Sequence, residues 1–142
     1  MADTINVYTL GAEKIHENSI DFLNDTIKVM LLDTGYTPAQ NTDEFVSDIV
    51  ADEETDGSYS RQTLGSKTIT QSGNIVKIDG GDITYSSLTS TNSKYAVVFK
   101  DSGADATSPL ICYVTFDSST SSGGNDLVIE WSADGIYKDT TS

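Results

Sequence analysis

The hydrophobic pattern of the chain is clearest in a short apolar run, Thr26-Ile-Lys-Val-Met-Leu-Leu-Asp33. Polar residues typical of turns precede and follow this run, which predicts a β-strand. Its alternate residues fall on two faces, and within residues 27–32 the only polar side chain is that of Lys28. We therefore expect both faces of the strand to be covered, as in the interior of a sheet.

Seven further segments combine β-branched or aromatic residues with turn residues between them. The turn at Ser72-Gly-Asn74 predicts a hairpin between residues 63–70 and 75–78. Residues 12–23 and 42–50 carry apolar positions at helical spacing and predict short helices. The remaining strands are predicted at residues 82–85, 94–100, 109–116, 126–131 and 135–138.

About eight strands, without alternation of strands and long helices, predict an all-β, mainly antiparallel fold. We expect a two-sheet β-sandwich, or a jelly-roll-like arrangement, with one or two short helices. A chain of 142 residues fits one domain, which we place at residues 12–142. Residues 1–11 are predicted to form an extended N-terminal arm that reaches a neighbouring molecule, or else a frayed terminus. The predicted core consists of Val29, Leu31, Val97, Phe99, Val114, Phe116, Ile129 and Trp131.

The charge of the chain narrows the classes of partner. There are 22 acidic and 8 basic residues, which give a formal net charge of -14. Nucleic acids and anionic membranes are bound mainly through Lys and Arg, so we expect neither as a partner. The sequence contains no apolar run of the roughly 20 residues that a membrane-spanning helix needs, and its first residues lack the pattern of a secretory signal. We therefore expect a soluble protein made in the cytosol.

No pattern in the sequence predicts catalysis or a cofactor. The one imidazole, His16, lies in the least regular part of the chain, and we expect it to face solvent on a short polar turn. The single cysteine, Cys112, lies in the middle of an apolar strand, which predicts a buried, unreactive thiol. The acidic stretch 52–57 predicts a solvated loop, with a cation site as the alternative, because it lacks the ligand spacing of an EF-hand. The chain is thus expected to be neither an enzyme nor a metalloprotein.

Two stretches stand out, Ile20-Asp-Phe-Leu-Asn-Asp-Thr-Ile-Lys-Val-Met-Leu-Leu-Asp-Thr-Gly-Tyr-Thr-Pro38 and Ile129-Glu-Trp-Ser-Ala-Asp-Gly-Ile-Tyr137. Together with several segments between them, taken in order, they resemble a family of small structural proteins of tailed bacteriophages. The resemblance opens with the first stretch and closes with the second. It covers roughly residues 14 to 138, and its motifs are strands and turns with no catalytic residue among them. It therefore implies a component of a virion. The matching segments are residues 20–38, 43–48, 59–70, 94–101, 109–114 and 129–137.

Within virions, the resemblance implies a capsid decoration, or cement, protein that binds in many copies outside the major capsid shell. Such a protein would be made in the cytoplasm of the host bacterium and end on the capsid surface of the virion. The implied partners are the major capsid protein and further copies of the chain, with a trimer favoured over a dimer. A tail or head-to-tail neck component is the first alternative, and a carbohydrate-binding module of a tail spike is the second. The residues expected at subunit or capsid contacts are Thr4, Ile5, Val7, Tyr8, Leu10, Tyr36, Thr37 and Pro38.

Overall fold

The computed structural model describes residues 4–55, 57–88, 93–120, 126–131 and 135–140. These residues form ten strands and one α-helix, and the strands pair antiparallel in three sheets. The predicted all-β, mainly antiparallel class is confirmed, with three sheets where the sequence indicated two. The elements are β1 Thr4–Val7, α1 Thr9–His16, β2 Ile27–Asp33, β3 Gln62–Thr63, β4 Thr68–Ser72, β5 Ile75–Asp79, β6 Ile83–Tyr85, β7 Ser93–Lys100, β8 Leu110–Thr120, β9 Leu127–Ile129 and β10 Tyr137–Thr140.

The largest sheet has five strands in the order β1-β8-β7-β2-β3. The apolar run described above forms β2, which lies between β7 and β3. Its side chains are buried on both faces, with Val29 and Leu31 on one and Met30 and Leu32 on the other. This confirms the prediction of an interior strand with two covered faces. The other sheets have the orders β10-β5-β4 and β6-β9.

Two hydrophobic clusters cover the two faces of the five-stranded sheet. The first contains Val29 and Leu31 and is completed by buried residues of the two smaller sheets. The second contains Met30, Val97 and Phe99 and is completed by residues 36–50 together with Tyr8, the residue after β1. The prediction of one shared core was wrong, because Met30 pairs directly with Val97 and Val29 with Val98. Directly paired residues point to the same face of a sheet. Val97 and Phe99 therefore lie on one face of the sheet and Val29 lies on the other.

Three local predictions also differ from the structure. The predicted arm of residues 1–11 is, from residue 4 onward, part of the domain. This is because β1 pairs with β8 along its length and α1 begins shortly after β1. Residues 42–50 form 3-10 turns at Val46–Asp48 and Val50–Asp52 in place of a helix. The long strand predicted at 63–70 is divided into β3 and β4, because Ser66 adopts a positive φ of 51° that no strand accommodates. The hairpin of β4 and β5 around Gly73 is confirmed.

Candidate functional site

The two predicted contact segments, although far apart in sequence, lie side by side. The hydroxyl oxygens of Tyr8 and Tyr36 are 2.7 Å apart across 28 residues of sequence. The backbone N–H of Thr9 donates to the carbonyl oxygen of Gln40 at 3.0 Å, and the Gln40 side-chain amide donates to the carbonyl oxygen of Val7 at 2.8 Å. We call this surface, residues 4–10 and 36–41, the N-terminal edge.

The structure corrects the role of two predicted contact residues. Tyr8 is 0% exposed and Tyr36 is 5% exposed, so neither ring is available to a partner. Their burial has a simple cause. Tyr8 directly follows β1, at the place where the segment after β2 folds across the second face of the large sheet, and both rings complete the cluster there. The remaining predicted residues are better placed, since Thr37 is exposed and Ile5, Val7, Leu10 and Pro38 are half-buried. For Thr4, the structure describes the backbone position at the start of β1.

A hydroxyl chain of Tyr8, Tyr36 and Asp43 ties the two halves of the N-terminal edge together. Tyr36 donates its hydroxyl proton to the Asp43 carboxylate at 2.7 Å, so the proton shared with Tyr8 comes from the Tyr8 hydroxyl. Burial raises the pKa of both tyrosines well above the usual range of a phenol. Both phenols therefore stay protonated at neutral pH and act as hydrogen-bond donors that hold the surface in shape.

The outer side of β1 exposes backbone groups to a partner. The N–H of Tyr8 donates to the carbonyl oxygen of Ile111 in β8. Hydrogen bonding alternates along an antiparallel pair, so the N–H and C=O groups of Ile5 and Val7 point away from β8. The carbonyl oxygen of Val7 already accepts a hydrogen bond from the Gln40 side-chain amide. The backbone of Ile5 is thus the main hydrogen-bonding position on this side of the strand.

Ion pairing within the chain leaves its surface strongly acidic. Among the described residues, at least four cationic side chains form ion pairs with carboxylates at 2.8 to 3.1 Å. Two further lysines, Lys67 and Lys94, donate to backbone carbonyl oxygens. Because the basic residues are so largely engaged in intramolecular contacts, the acidic excess of the sequence faces outward, and a complementary partner presents Lys or Arg. These ion pairs are Lys14–Glu44, Lys28–Asp101, Arg61–Glu53, Arg61–Asp105 and Lys100–Asp25.

An arginine cluster that the sequence analysis missed secures the loop after β2. Arg61 donates to both carboxylate oxygens of Glu53 at 2.8 Å and to Asp105 at 2.8 Å, and its guanidinium lies 5.5 Å from the centre of the Phe99 ring. Glu53 also accepts the hydroxyl proton of Tyr59 at 2.6 Å. The acidic stretch 52–57 therefore contributes to packing through Glu53. Asp105 is 44 positions from Arg61, and no local pattern could have joined them.

The predicted chemical residues lie in separate elements of the structure. His16 is exposed at the end of α1, and its Nε2 lies 3.3 Å from the Tyr137 hydroxyl. Cys112 is fully buried in β8, as predicted, and burial raises the pKa of its thiol. Within the described ranges, no three His, Cys, Asp or Glu side chains are close enough to hold a metal ion.

Several aromatic side chains in the described part of the chain pack against one another. Tyr36 packs edge-on against Tyr95, with ring centres 5.2 Å apart, and Tyr95 packs edge-on against Tyr113. The single tryptophan, Trp131, was predicted to lie in the core, but it follows β9 and is half-buried. Its indole N–H donates to the carbonyl oxygen of Gly81 at 2.8 Å. Trp131 packs against the first hydrophobic cluster and so contributes to the stability of the domain.

Among the described residues, no helix has the length and apolar character needed to cross a membrane. The chain matches no protein-family model, no curated protein and no solved structure.

Proposed function

We propose that this chain is a virion structural protein of a tailed bacteriophage, and that it decorates the outside of the major capsid shell. The proposal starts from the family resemblance of residues 14 to 138. The observation that carries it furthest is the N-terminal edge: two segments expected at contacts form one continuous surface, held together by Gln40 and the hydroxyl chain.

The N-terminal edge is suited to binding a folded shell. Its backbone is held by hydrogen bonds on the inner side, so little conformational entropy is lost when a partner binds. Thr37 is exposed in the segment after β2, and the backbone groups of Ile5 point outward from β1. A capsid subunit that presents Lys or Arg to this acidic protein gains attraction over the whole surface.

The proposed effect on the particle is mechanical. A decoration protein that touches neighbouring capsid subunits links them against the outward pressure of the packaged DNA. Each contact need only be weak, because a homo-oligomer bound at several points gains affinity from the high effective concentration of its remaining sites.

Purified particles with and without the protein test this role. We expect particles that lack it to open at lower temperature and to lose DNA sooner at low salt. Unchanged resistance to both treatments would rule out the clamping role. Densitometry of intact particles gives the location: hundreds of copies support capsid decoration, whereas a few dozen would indicate the tail or neck.

A matched pair of variants tests the surface itself. Thr37→Arg places a cation where we propose a basic partner, and Thr84→Arg makes the same exchange at an exposed position of β6. We expect the first variant to lose most of its binding to undecorated capsids in a sedimentation assay, and the second to bind like the unmodified protein. Equal binding by both variants would remove the N-terminal edge from the proposal.

A further inference from the structure

The outer edge of β4 differs from the other strand edges in the described part of the chain. β4 is the end strand of its sheet, and all five of its residues are exposed. It contains no charged residue, no proline and no bulge in its pairing with β5. An open edge of this kind is a template for a further strand, and proteins normally protect such edges.

The other end strands are protected or short. The outer carbonyl of Val7 in β1 accepts a hydrogen bond from Gln40. The end strand β10 carries Lys138 and Asp139, and β3 has only two residues. β6 and β9 have three residues each. β4 is thus the longest uncharged open edge among the described strands.

The hairpin geometry determines which backbone groups of β4 face outward. Its two-residue turn makes Ser72 and Ile75 a hydrogen-bonded pair. Bonding alternates from there, so Thr70 bonds to β5 while the N–H and C=O groups of Ile69 and Gln71 point away from it. Two donors and two acceptors are therefore directed outward within three residues.

The side chains of β4 favour association of like-charged molecules at this place. Ile69 is 48% exposed and pairs with Ile78 of the first hydrophobic cluster, so it extends that cluster to the open edge. Next to Thr70, the neighbouring strands carry Lys77 and Lys138 at paired positions. The same two strands also carry Asp79, which pairs with Thr68, and Asp139, so charges of both signs lie behind β4. Two molecules with a net charge of -14 repel one another less across strands that are themselves uncharged.

We propose that β4 pairs antiparallel with β4 of a second copy of this chain, about a two-fold axis through Thr70. In this register Ile69 of each copy opposes Gln71 of the other. All outward groups of both residues are then satisfied by four backbone hydrogen bonds. The two three-stranded sheets become one six-stranded sheet, and the assembly is a dimer in place of the trimer favoured by the sequence analysis.

Disulfide trapping tests the pairing and its register on the full chain. Thr70 of one copy would face Thr70 of the other in a non-hydrogen-bonded pair, with Cα atoms about 4.5 Å apart. This distance suits a disulfide between cysteines at that position. The Thr68→Cys variant is the matched control, because in the same register its two copies lie about 14 Å apart along the strands. The native Cys112 is buried and does not interfere. We expect mild oxidation to convert most Thr70→Cys protein, and little Thr68→Cys protein, to a covalent dimer.

Light scattering after gel filtration, at about 0.15 M salt to screen the net charge, gives a second measurement. We expect the unmodified protein to approach twice the chain mass of 15.2 kDa as its concentration rises. Ile69→Lys should run at the single-chain mass, whereas Val128→Lys, an exchange at an exposed apolar position of β9, should still dimerise. A monomer or a trimer of the unmodified protein would overturn the proposal, as would equal trapping of the two cysteine variants. Neither result bears on capsid binding, which is measured on particles.

Discussion

The close approach of α1 to β8 leads to a sharp prediction for Gly11→Ala. Gly11 is buried in α1, and a Cβ atom added there would lie 2.1 Å from the carbonyl oxygen of Leu110 and 3.1 Å from the Cα atom of Ile111. Comfortable packing needs about 3.5 Å, so the helix must move away from β8 by about 1.4 Å. The obstacle is backbone, which cannot rotate away as a side chain can.

Two opposing effects set the size of the change. Overpacking of this kind costs about 1 to 3 kcal/mol, and we take the upper end because a strand carbonyl is the obstacle. Alanine is favoured over glycine in a helix by about 1 kcal/mol. The net loss in the free energy of unfolding is then about 2 kcal/mol, which for a chain of this size lowers the melting temperature by about 7 °C.

Urea unfolding followed by circular dichroism measures this change. Gly65→Ala is the matched control, because its added Cβ atom meets nothing within 4 Å, and it should leave stability unchanged or raise it by up to about 1 kcal/mol. The displaced helix begins directly after Tyr8, so Gly11→Ala should also weaken the N-terminal edge. If Gly11→Ala proved as stable as Gly65→Ala, the proposed contact between helix and strand would be wrong.

Three further changes test interactions described above. Tyr36→Phe removes the central hydroxyl of the hydroxyl chain and should lower the free energy of unfolding by about 1 to 3 kcal/mol in a urea titration; a loss no larger than that of Tyr95→Phe, in the same cluster, would contradict this. Arg61→Lys replaces the forked contacts with two carboxylates by a point charge, and thermal unfolding should show a loss of about 1 to 3 kcal/mol; an unchanged melting temperature would show that the fork is dispensable. The hydrogen bond from Lys28 lowers the pKa of Asp101 in the folded protein, so the pair stabilises the fold above the unfolded-state value of about 3.9 and loses this effect as the pH falls through the lower folded-state pKa. The urea midpoint of Asp101→Asn should therefore lie below that of the unmodified protein at pH 7 and approach it on acidification, whereas a constant difference would exclude ionisation as the cause.

The local sequence pattern was sufficient to predict the positions of most strands. The alternation of apolar and polar positions placed β2, β7 and the start of β8 within a few residues, because side-chain direction in a strand depends only on neighbouring residues. The turn at Gly73 was also local, since glycine at the first turn position, here with a φ of 58°, permits the tight hairpin. The burial of Cys112 followed from its apolar neighbours in the same strand.

The local pattern could not predict which face of the large sheet each side chain lies on. In a regular strand, Leu110 and Cys112 would share one face because they are two residues apart. An irregular register near Phe99, where Val98 pairs with Cys112 and Phe99 with Leu110, places them in different clusters. A bulge changes the face of every residue beyond it, and its position depends on the partner strand.

By itself, then, the sequence determined the all-β class, the positions of the main strands, the hairpin and the acidic character of the chain, since each depends on composition or on neighbours along the backbone. The tertiary structure alone decided that the predicted arm is an edge strand, that Tyr8 and Tyr36 are interior residues, and that their two segments form one surface. These features depend on pairs separated by tens of residues, such as Tyr8 with Tyr36 and Arg61 with Asp105. Such pairs form only when the chain closes on itself, and their stability comes from burial that neither segment has alone.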